Sequence, residues 1–591
     1  MKKSIKSSWA VAIIIVVFCG GMLIQPPHNI LAWDVFGYYL YLPMTFIYHD
    51  LGMRDIQVVY DIINQYQISD CFYQGWMASS GNWIIKYTSG QSILFLPFFL
   101  VAHVITLLTG GVADGFSSPY QWGIIIGCCF YMVLSILLLR KILLKFTGET
   151  ATALTLILVF LGTNYATTFH TGCANIHFQL FFLYTVLLHY TIKWHEKPSL
   201  KYMIGIAISA GLLTLSRPTD IICLLIPFLW NINSKKSLTE KIQLIKQYKK
   251  QLWIAFAIVM ALGSIQLIYW QIYSGRLIMN SYRNYGEGME YFHPFIWQTL
   301  VGFRKGWYLY TPMMLVATLG FISIYRHNKK IFAPLFAFFI MNVYLVSCWS
   351  CWWYADSFGQ RAYIQSYPIM AIALSILIQS VIDHKKRIIQ VLFFTLITVL
   401  FLLNLFQTWQ FSKGIIHTSR MSKEAYFTNF FATQYNPNSE KIWLINRSFN
   451  SFEEKDTLHV YTEKQLHIEN KVIKMDSTSE FTPAFKLSYQ DITKKNHAWI
   501  QVSARIFSTT DLKDNPISLV ISFEHKGKSY KYICYDLAQM NLKPGEWNEI
   551  KIDYLTPEIR RVQDNLCVYF WHQGKQTVWI DDFTINSFIL D

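Results

Sequence analysis

Asp34 stands directly after the first apolar run of the chain, in Trp33-Asp34-Val35-Phe36-Gly37-Tyr38-Tyr39. A carboxylate at a membrane surface, ringed by aromatic side chains, can take the proton of a hydroxyl held beside a lipid. It also reads as a helix cap within an ordinary aromatic belt. Four cations suit the same chemistry: Lys86 in Lys86-Tyr87-Thr88-Ser89-Gly90, Arg217 before Pro218, Arg304 beside Lys305, and Arg361 closing Trp352-Trp353-Tyr354-Ala355-Asp356-Ser357-Phe358-Gly359-Gln360. Cations fixed at headgroup depth steady a lipid phosphate as it leaves. Tyr38, Tyr39, Trp353 and Tyr354 offer flat faces to a sugar or a lipid tail. His177 clusters with Asn164, His170 and Asn175 at the ends of two apolar runs. Each residue has a plain structural reading too. Lys86 and Arg361 could snorkel, Arg217 could end a helix, and His177 could be a satisfied polar residue of a helix bundle.

The elements that must position these groups are membrane helices. The chain has 591 residues, 53% of them hydrophobic, and a mean hydropathy of +0.28. Charged residues make up 15%, well below the ~25% of soluble domains. Apolar runs long enough to cross a bilayer recur from residue 9 to residue 412, so the chain is a polytopic membrane protein. Its formal charge is +15. Lys and Arg sit mainly in short clusters between apolar runs, which orients helices and argues against a nucleic-acid partner.

The Lys2, Lys3 and Lys6 start places the N-terminus in the cytoplasm, with 9–25 as an uncleaved first span. Further spans are expected near 120–139, 151–169, 176–194, 201–216, 218–232, 251–274, 307–325, 331–348, 361–381 and 388–410, about eleven in all. The run 90–109 is expected to stay at the outer surface as a juxtamembrane or re-entrant segment. Otherwise Arg140, Lys141 and Lys145 would be translocated, and Pro97 suits a broken helix. Loops 193–201, 235–250, 326–330 and 384–387 are then cytoplasmic, and loops 26–89, 275–306 and 349–360 are outside. The outer loops hold Asp34, Tyr38, Tyr39, Lys86, Arg304, Trp353 and Tyr354, together with Asp50, Asp55, Asp61, Asp70, Arg276, Arg283 and Glu287, while His177, Arg217 and Arg361 stand at span ends. Segment 235–250, with Ile242, Leu244 and Ile245, reads equally as a lipid-surface helix or a solvated basic loop.

Beyond residue 425 the period changes to two. Ile500, Val502, Ala504 and Ile506 alternate with Gln501, Ser503 and Arg505, and Ile517, Leu519, Ile521 and Phe523 with Ser518, Val520, Ser522 and Glu524. Turns at 525–528, 544–545 and 573–574 separate further short strands. The expected domains are therefore 1–425 in the membrane and a β-sandwich, 426–591, outside it. That sandwich could meet saccharide or envelope polymer, or only steady the outer loops. Ten cysteines form no framework. Cys348-Trp349-Ser350-Cys351 lacks the surroundings of a redox motif, and pairing of Cys534 with Cys567 stays open. No Walker loop or G-x-G-x-x-G helix start appears, so a soluble nucleotide-sugar donor is not indicated.

Taken in order, these features resemble the GT-C superfamily of integral-membrane glycosyltransferases, whose members include the protein O-mannosyltransferases and the lipid A aminoarabinose transferase. The matching features are Trp33-Asp34 with Tyr38-Tyr39, a large first outer loop, and Lys86-Tyr87-Thr88-Ser89-Gly90. Gly162-Thr163-Asn164 leading to His177, Tyr310-Thr311-Pro312 and Ser357-Phe358-Gly359-Gln360-Arg361 complete the set. The likeness covers roughly residues 1–420. It implies that Asp34 activates the acceptor or serves as a metal-side carboxylate, and that Lys86 and Arg361 contact the donor. Val35 stands where several relatives carry a second acid, which leaves the place of a divalent metal open. The ending Trp579-Ile580-Asp581-Asp582-Phe583 is similar to carbohydrate-binding jelly rolls.

The expected activity is transfer of a sugar from a polyprenyl-phosphate donor to a glycan, lipid or protein acceptor. The expected location is the inner (plasma) membrane, multi-pass, with the C-terminal domain on the periplasmic side. Two rivals are a transporter or flippase of lipid-linked glycans, and a noncatalytic scaffold that binds envelope polymer.

Overall fold

A computed structural model describes residues 6–69, 71–283, 287–419, 421–434, 472–477, 479–493, 498–540, 542–556, 559 and 561–588. Lys2, Lys3 and Asp70 lie outside them. The chain divides into two compact units, Met1–Arg283 with Met289–Met421, and Asn284–Gly288 with Ser422–Asp591.

The first unit is helical, as a chain that spans lipid must be to satisfy its backbone internally. Among the described residues seven helices are long and apolar enough to cross a membrane: Ser7–Ile24, Gly90–Leu108, Ser118–Leu143, Lys249–Ser274, Lys329–Ser347, Arg361–Ile382 and Arg387–Ser412. Glu149–Leu161 and Asn164–Gly172, bent by 50° at Gly162-Thr163, make an eighth if taken as one span. The other expected passes run through shorter or more polar helices: Ile176–Glu196, Leu200–Ser216, Pro218–Leu229 and Pro312–His327.

The Gly90–Leu108 helix corrects one expectation. It continues through Pro97 instead of breaking there. The proline removes the helical bond to Ile93 O, and in the same turn Tyr131 OH, from a neighbouring helix, donates to Leu94 O at 2.7 Å. Its first half packs on one short segment. Ser92 Oγ donates to Tyr38 O, Phe99 meets the Tyr39 ring edge to face at 5.9 Å, and Gly115 O, in the loop that follows the helix, accepts from Tyr39 OH at 2.6 Å.

The basic loops gather at one end of the bundle. Lys145 pairs with Glu196, Asn231 N–H donates to Lys330 O at 3.1 Å, and Gly148 N–H donates to Gln379 Oε1 at 3.0 Å. A cavity of about 690 Å³ there is lined by Phe146, His327, Gln379, Asp383, His384 and Lys386. Segment 235–250 holds a helix, Lys235–Gln247, closed by a capping box at Ser234. The aromatic loops gather at the other end, where Trp76 Nε1 donates to Ser281 O at 3.1 Å and Thr88 Oγ1 to Ser216 O at 3.1 Å.

The strands of the second unit fall where the alternation sets them. After the small hairpin of the first unit, β1 (Gly75–Met77) and β2 (Trp83–Ile85), the chain forms β3 (Ile473–Met475), β4 (Phe485–Ser488) and β5 (Trp499–Ser508). It continues with β6 (Ile517–His525), β7 (Lys528–Asp536), β8 (Trp547–Leu555), β9 (Asn565–His572) and β10 (Val578–Phe588). These make two antiparallel four-stranded sheets, β3-β10-β5-β8 and β4-β9-β6-β7. One core joins them: Val502, Ile506 and Ile580 of the first sheet lie with Leu519, Ile521 and Phe570 of the second. Phe570 and Phe583 meet edge to face at 5.1 Å. Cys534 and Cys567 are free thiols on strands that flank β6. Two strand spacings separate them, ~9–10 Å, beyond the reach of a disulfide.

Candidate functional site

Asp34 opens the Asp34–Tyr39 helix. Just before it Trp33 adopts φ 55°, a left-handed conformation that costs a bulky residue of order 1–3 kcal/mol. Neighbours hold it there. Trp33 N–H donates to Ile68 O at 3.2 Å, and its carbonyl accepts from Gln74 Nε2 at 3.0 Å. The β1–β2 hairpin then delivers Lys86, whose N–H donates to Gln74 O at 2.8 Å, and Tyr87. Gly37 admits the Tyr87 ring to the helix, since a Cβ there would lie 2.3 Å from it.

These constraints surround the Asp34 carboxylate. Oδ1 accepts from Tyr87 OH at 2.6 Å and from Tyr73 OH at 2.9 Å; Oδ2 accepts from Arg361 Nη2 at 3.2 Å. Burial alone would raise the pKa. Arg361, the Tyr87 phenol, Lys86 and the Tyr73 phenol together outweigh it and hold the carboxyl below its usual range. Lys86 is 4% exposed, and its Nζ lies 5.4 Å from the ring centres of Tyr73 and Tyr87 and 5.2 Å from that of Tyr282. Cation–π attraction steadies an ammonium in such a cage without neutralising it.

A second group adjoins the first through Tyr38. Its ring lies 4.4 Å from that of Tyr87, and both Arg217 and Asp34 act electrostatically on its phenol, which burial drives above its ordinary pKa. Arg217 donates to Tyr354 OH at 3.2 Å and to Gln365 Oε1 at 3.1 Å. Gln365 Nε2 donates to Asp220 Oδ1 at 3.1 Å, and that buried carboxylate also accepts from Tyr184 OH at 2.5 Å. The His177 ring lies 6.5 Å from Tyr354, and its buried Nδ1 has no hydrogen-bond partner among the described residues. Tyr354 and Ala355 follow one another at φ 50° and 51°, a strained turn on the rim of the same group.

Seven of the ten residues singled out from sequence thus come together: Asp34, Tyr38, Lys86, Arg217, His177, Tyr354 and Arg361. Arg304 and Trp353 form a stack of their own, guanidinium to ring centre 4.1 Å, with Arg304 Nε donating to Ser419 O at 2.6 Å. Tyr39 is a core residue, fully buried and packed edge to face on Phe99 and Phe116. Tyr73, Tyr87, Tyr282, Asp220 and Gln365 join the group without having been singled out. Two had a signal in the sequence: Tyr87 follows Lys86 directly, and Asp220 stands three residues after Arg217, a spacing that brings side chains together on one helical turn.

The arrangement is one ionised carboxylate within a group of cations and phenols, suited to holding an anion beside a proton acceptor. Among the described residues no three His, Cys, Asp or Glu side chains converge, and Asp34 is already matched by the Arg361 guanidinium and the Lys86 ammonium. That donor set does not fit a divalent cation. No model of a known protein family matches the chain, and no curated protein matches it.

Proposed function

We propose that the chain transfers a sugar from a polyprenyl-phosphate donor to an acceptor hydroxyl at the outer surface of the membrane, in the manner of the GT-C enzymes it resembles. Lys86, Arg361 and Arg217 hold the donor phosphate. Asp34 accepts the proton of the acceptor hydroxyl as that oxygen bonds to the anomeric carbon. The bond from that carbon to the phosphate oxygen breaks, inverting the centre, and polyprenyl phosphate leaves with the bonding pair, its charge matched by the same cations. Tyr38 and Tyr354 provide faces for the sugar, and His177 lines the same group.

The observation that carries this reading is the Asp34 carboxylate itself. Two cationic side chains and two phenols, from segments as distant as Arg361, 327 residues away, are assembled around one carboxylate, and Arg217 adjoins them through Tyr38. Carboxylates perturbed by burial together with specific charge partners cluster at functional sites.

The proposed topology follows the charge pattern, with eleven passes and Gly90–Leu108 lying along the outer surface. The contacts of its first half and of the loop after it with Tyr38-Tyr39 support that placement. The second unit is proposed as an outer β-sandwich. The test is release of polyprenyl phosphate from a lipid-linked sugar by the protein in proteoliposomes, with acceptor-dependent transfer of the sugar. Movement of the intact lipid-linked glycan across the bilayer without bond cleavage would select the flippase reading instead.

A further inference from the structure

In the sheet β3-β10-β5-β8, Ile500, Val502, Ala504 and Ile506 turn inward, and the alternate residues form cross-strand rows on the outer face. One row is aromatic. Trp547 of β8 pairs with Phe507 of β5, Phe507 with Trp579 of β10, and Trp579 with Lys474 of β3. The Phe507 ring centre lies 5.6 Å from each tryptophan, and Trp547 is 43% exposed. The next row is ionic, with Glu549, Arg505 and Asp581 in register. Arg505 donates to Asp581 at 3.0 Å and pairs with Asp582 at 2.6 Å, with its guanidinium 5.7 Å from the Trp547 ring. A β-bulge between Asp581 and Thr584, with Asp582 at φ 50°, turns both carboxylates toward Arg505. The third row is Lys551, Ser503 and Thr584.

We propose that this face binds a neutral saccharide chain of three or more units. Three rings in series, exposed Trp547 and half-buried Phe507 and Trp579, are set at 48° and 66° to their neighbours and present a stepped apolar row on which a twisted chain of pyranose rings can lie. The row beside them offers planar, bidentate groups that exchange hydrogen bonds with vicinal hydroxyls. Charge decides against a polyanion: Lys474, Arg505 and Lys551 balance Glu549, Asp581 and Asp582. A second copy of the chain, or another apolar partner, would bury the ionic row beside a single row of rings, and interface cores are depleted in such charges. A sugar leaves that row wet and hydrogen-bonded. The proposal uses nothing from the membrane unit and stands apart from the proposed transfer.

The experiment is calorimetric titration of the full chain in a detergent without a sugar headgroup. The probes are the hexamers of β-1,4-linked glucose, β-1,4-linked N-acetylglucosamine and α-1,4-linked glucose. At least one is expected to bind. Trp547→Ala and Trp579→Ala should each weaken it roughly ten-fold, the worth of one stacked ring. Trp547→Phe should keep most of the affinity, and Trp571→Ala, on the other sheet, should keep all of it. Hydrogen exchange of the unmutated protein should slow in β5, β8 and β10 when the hexamer binds, a readout that needs no variant to fold. The proposal is overturned if no hexamer binds at millimolar concentration, or if both alanine variants fold and bind as well as the parent. Concentration-dependent dimerisation that Trp547→Ala abolishes would overturn it in favour of a second copy.

Discussion

Asp34→Asn should do two opposite things: slow turnover and tighten the grip on polyprenyl phosphate. In the free protein Arg361 is engaged by Asp34 Oδ2 at 3.2 Å, so a phosphate must compete with a carboxylate for the guanidinium. At that distance the Coulomb attraction is about 1.3 kcal/mol at a dielectric of 80 and about 5 kcal/mol at 20. Arg361 keeps 15% of its side-chain surface and Asp34 43%, so water screens the pair and the lower part of that range applies, about 1–2 kcal/mol. Removing the competing charge should therefore tighten binding by about 5- to 30-fold. Turnover should fall by about 10²–10⁴, the usual loss when a general base is removed. The assay is equilibrium binding of farnesyl phosphate, a short-chain stand-in, beside release of polyprenyl phosphate from a lipid-linked sugar. Arg361→Ala should weaken binding, and in the Arg361→Ala background Asp34→Asn should no longer tighten it. If the ligand binds but Asp34→Asn leaves affinity equal or lower, the competition is refuted while the transfer reading survives. If the unmutated protein binds no polyprenyl phosphate, the transfer reading falls.

Gly37→Ala should displace Tyr87 from Asp34, because its Cβ would lie 2.3 Å from the ring; overpacking of this kind costs typically ~1–3 kcal/mol, read as a lower melting temperature together with lost turnover. Ser117→Cys, in a background with exposed Cys71 and Cys534 replaced by serine, should react with an impermeant reagent from outside; protection there with labelling near Lys145 would reverse the topology. Residues 422–591 expressed alone should give a strand-rich circular dichroism spectrum and a cooperative melt, since both sheets and their core lie within them. The Asp34 pKa is depressed, so its ionised form is the one the fold stabilises. That stability is fully present above the unfolded carboxyl value and is lost as pH falls through the folded one, below 3.8. A binding or melting titration should show no Asp34 transition above about pH 4, and Arg361→Ala should move that transition upward.

The two regimes of the chain were legible because their periods differ. Long apolar runs can only be helices in lipid, and the alternation from Ile500 to Ile506 can only bury one face of a sheet. Charge bias at Arg140, Lys193 and Lys330 anticipated that these loops lie together, because clusters held on one side of a bilayer must share one end of a bundle. Pro97 misled, because the helix runs on despite the one bond lost at Ile93 O, tied in that turn by Tyr131 OH on Leu94 O, and no local pattern encodes a partner 37 residues away. The site was legible as a composition and not as a geometry. Tyr39 and Tyr38 are adjacent in sequence, yet one is core and the other meets the cation cluster, since successive residues of a helix point 100° apart. Arg304 looked like Arg217 by charge and by side of the membrane, but Ser419 O and Trp353 hold it in a separate stack.

The depressed pKa of Asp34 bears on how the proposed reaction would run. A carboxyl held below its usual range is a poor proton acceptor, and bases work best when their pKa approaches the working pH. The free site is thus set for an anion to bind and not yet for a proton to move. In the proposed reaction donor phosphate would change both at once. As Arg361 turned its charge to the phosphate, Oδ2 would be released toward the acceptor hydroxyl. The largest influence depressing the carboxyl would weaken, and the phosphate's own negative charge would raise the pKa further. Tyr73 and Tyr87 would stay on Oδ1 and keep the freed oxygen aimed. The base would therefore become competent only after the leaving group is seated, which couples acceptor activation to donor occupancy and protects the donor from hydrolysis by water. The same coupling makes the two effects of Asp34→Asn inseparable: the charge that has to be displaced for donor to bind is the charge that later takes the proton.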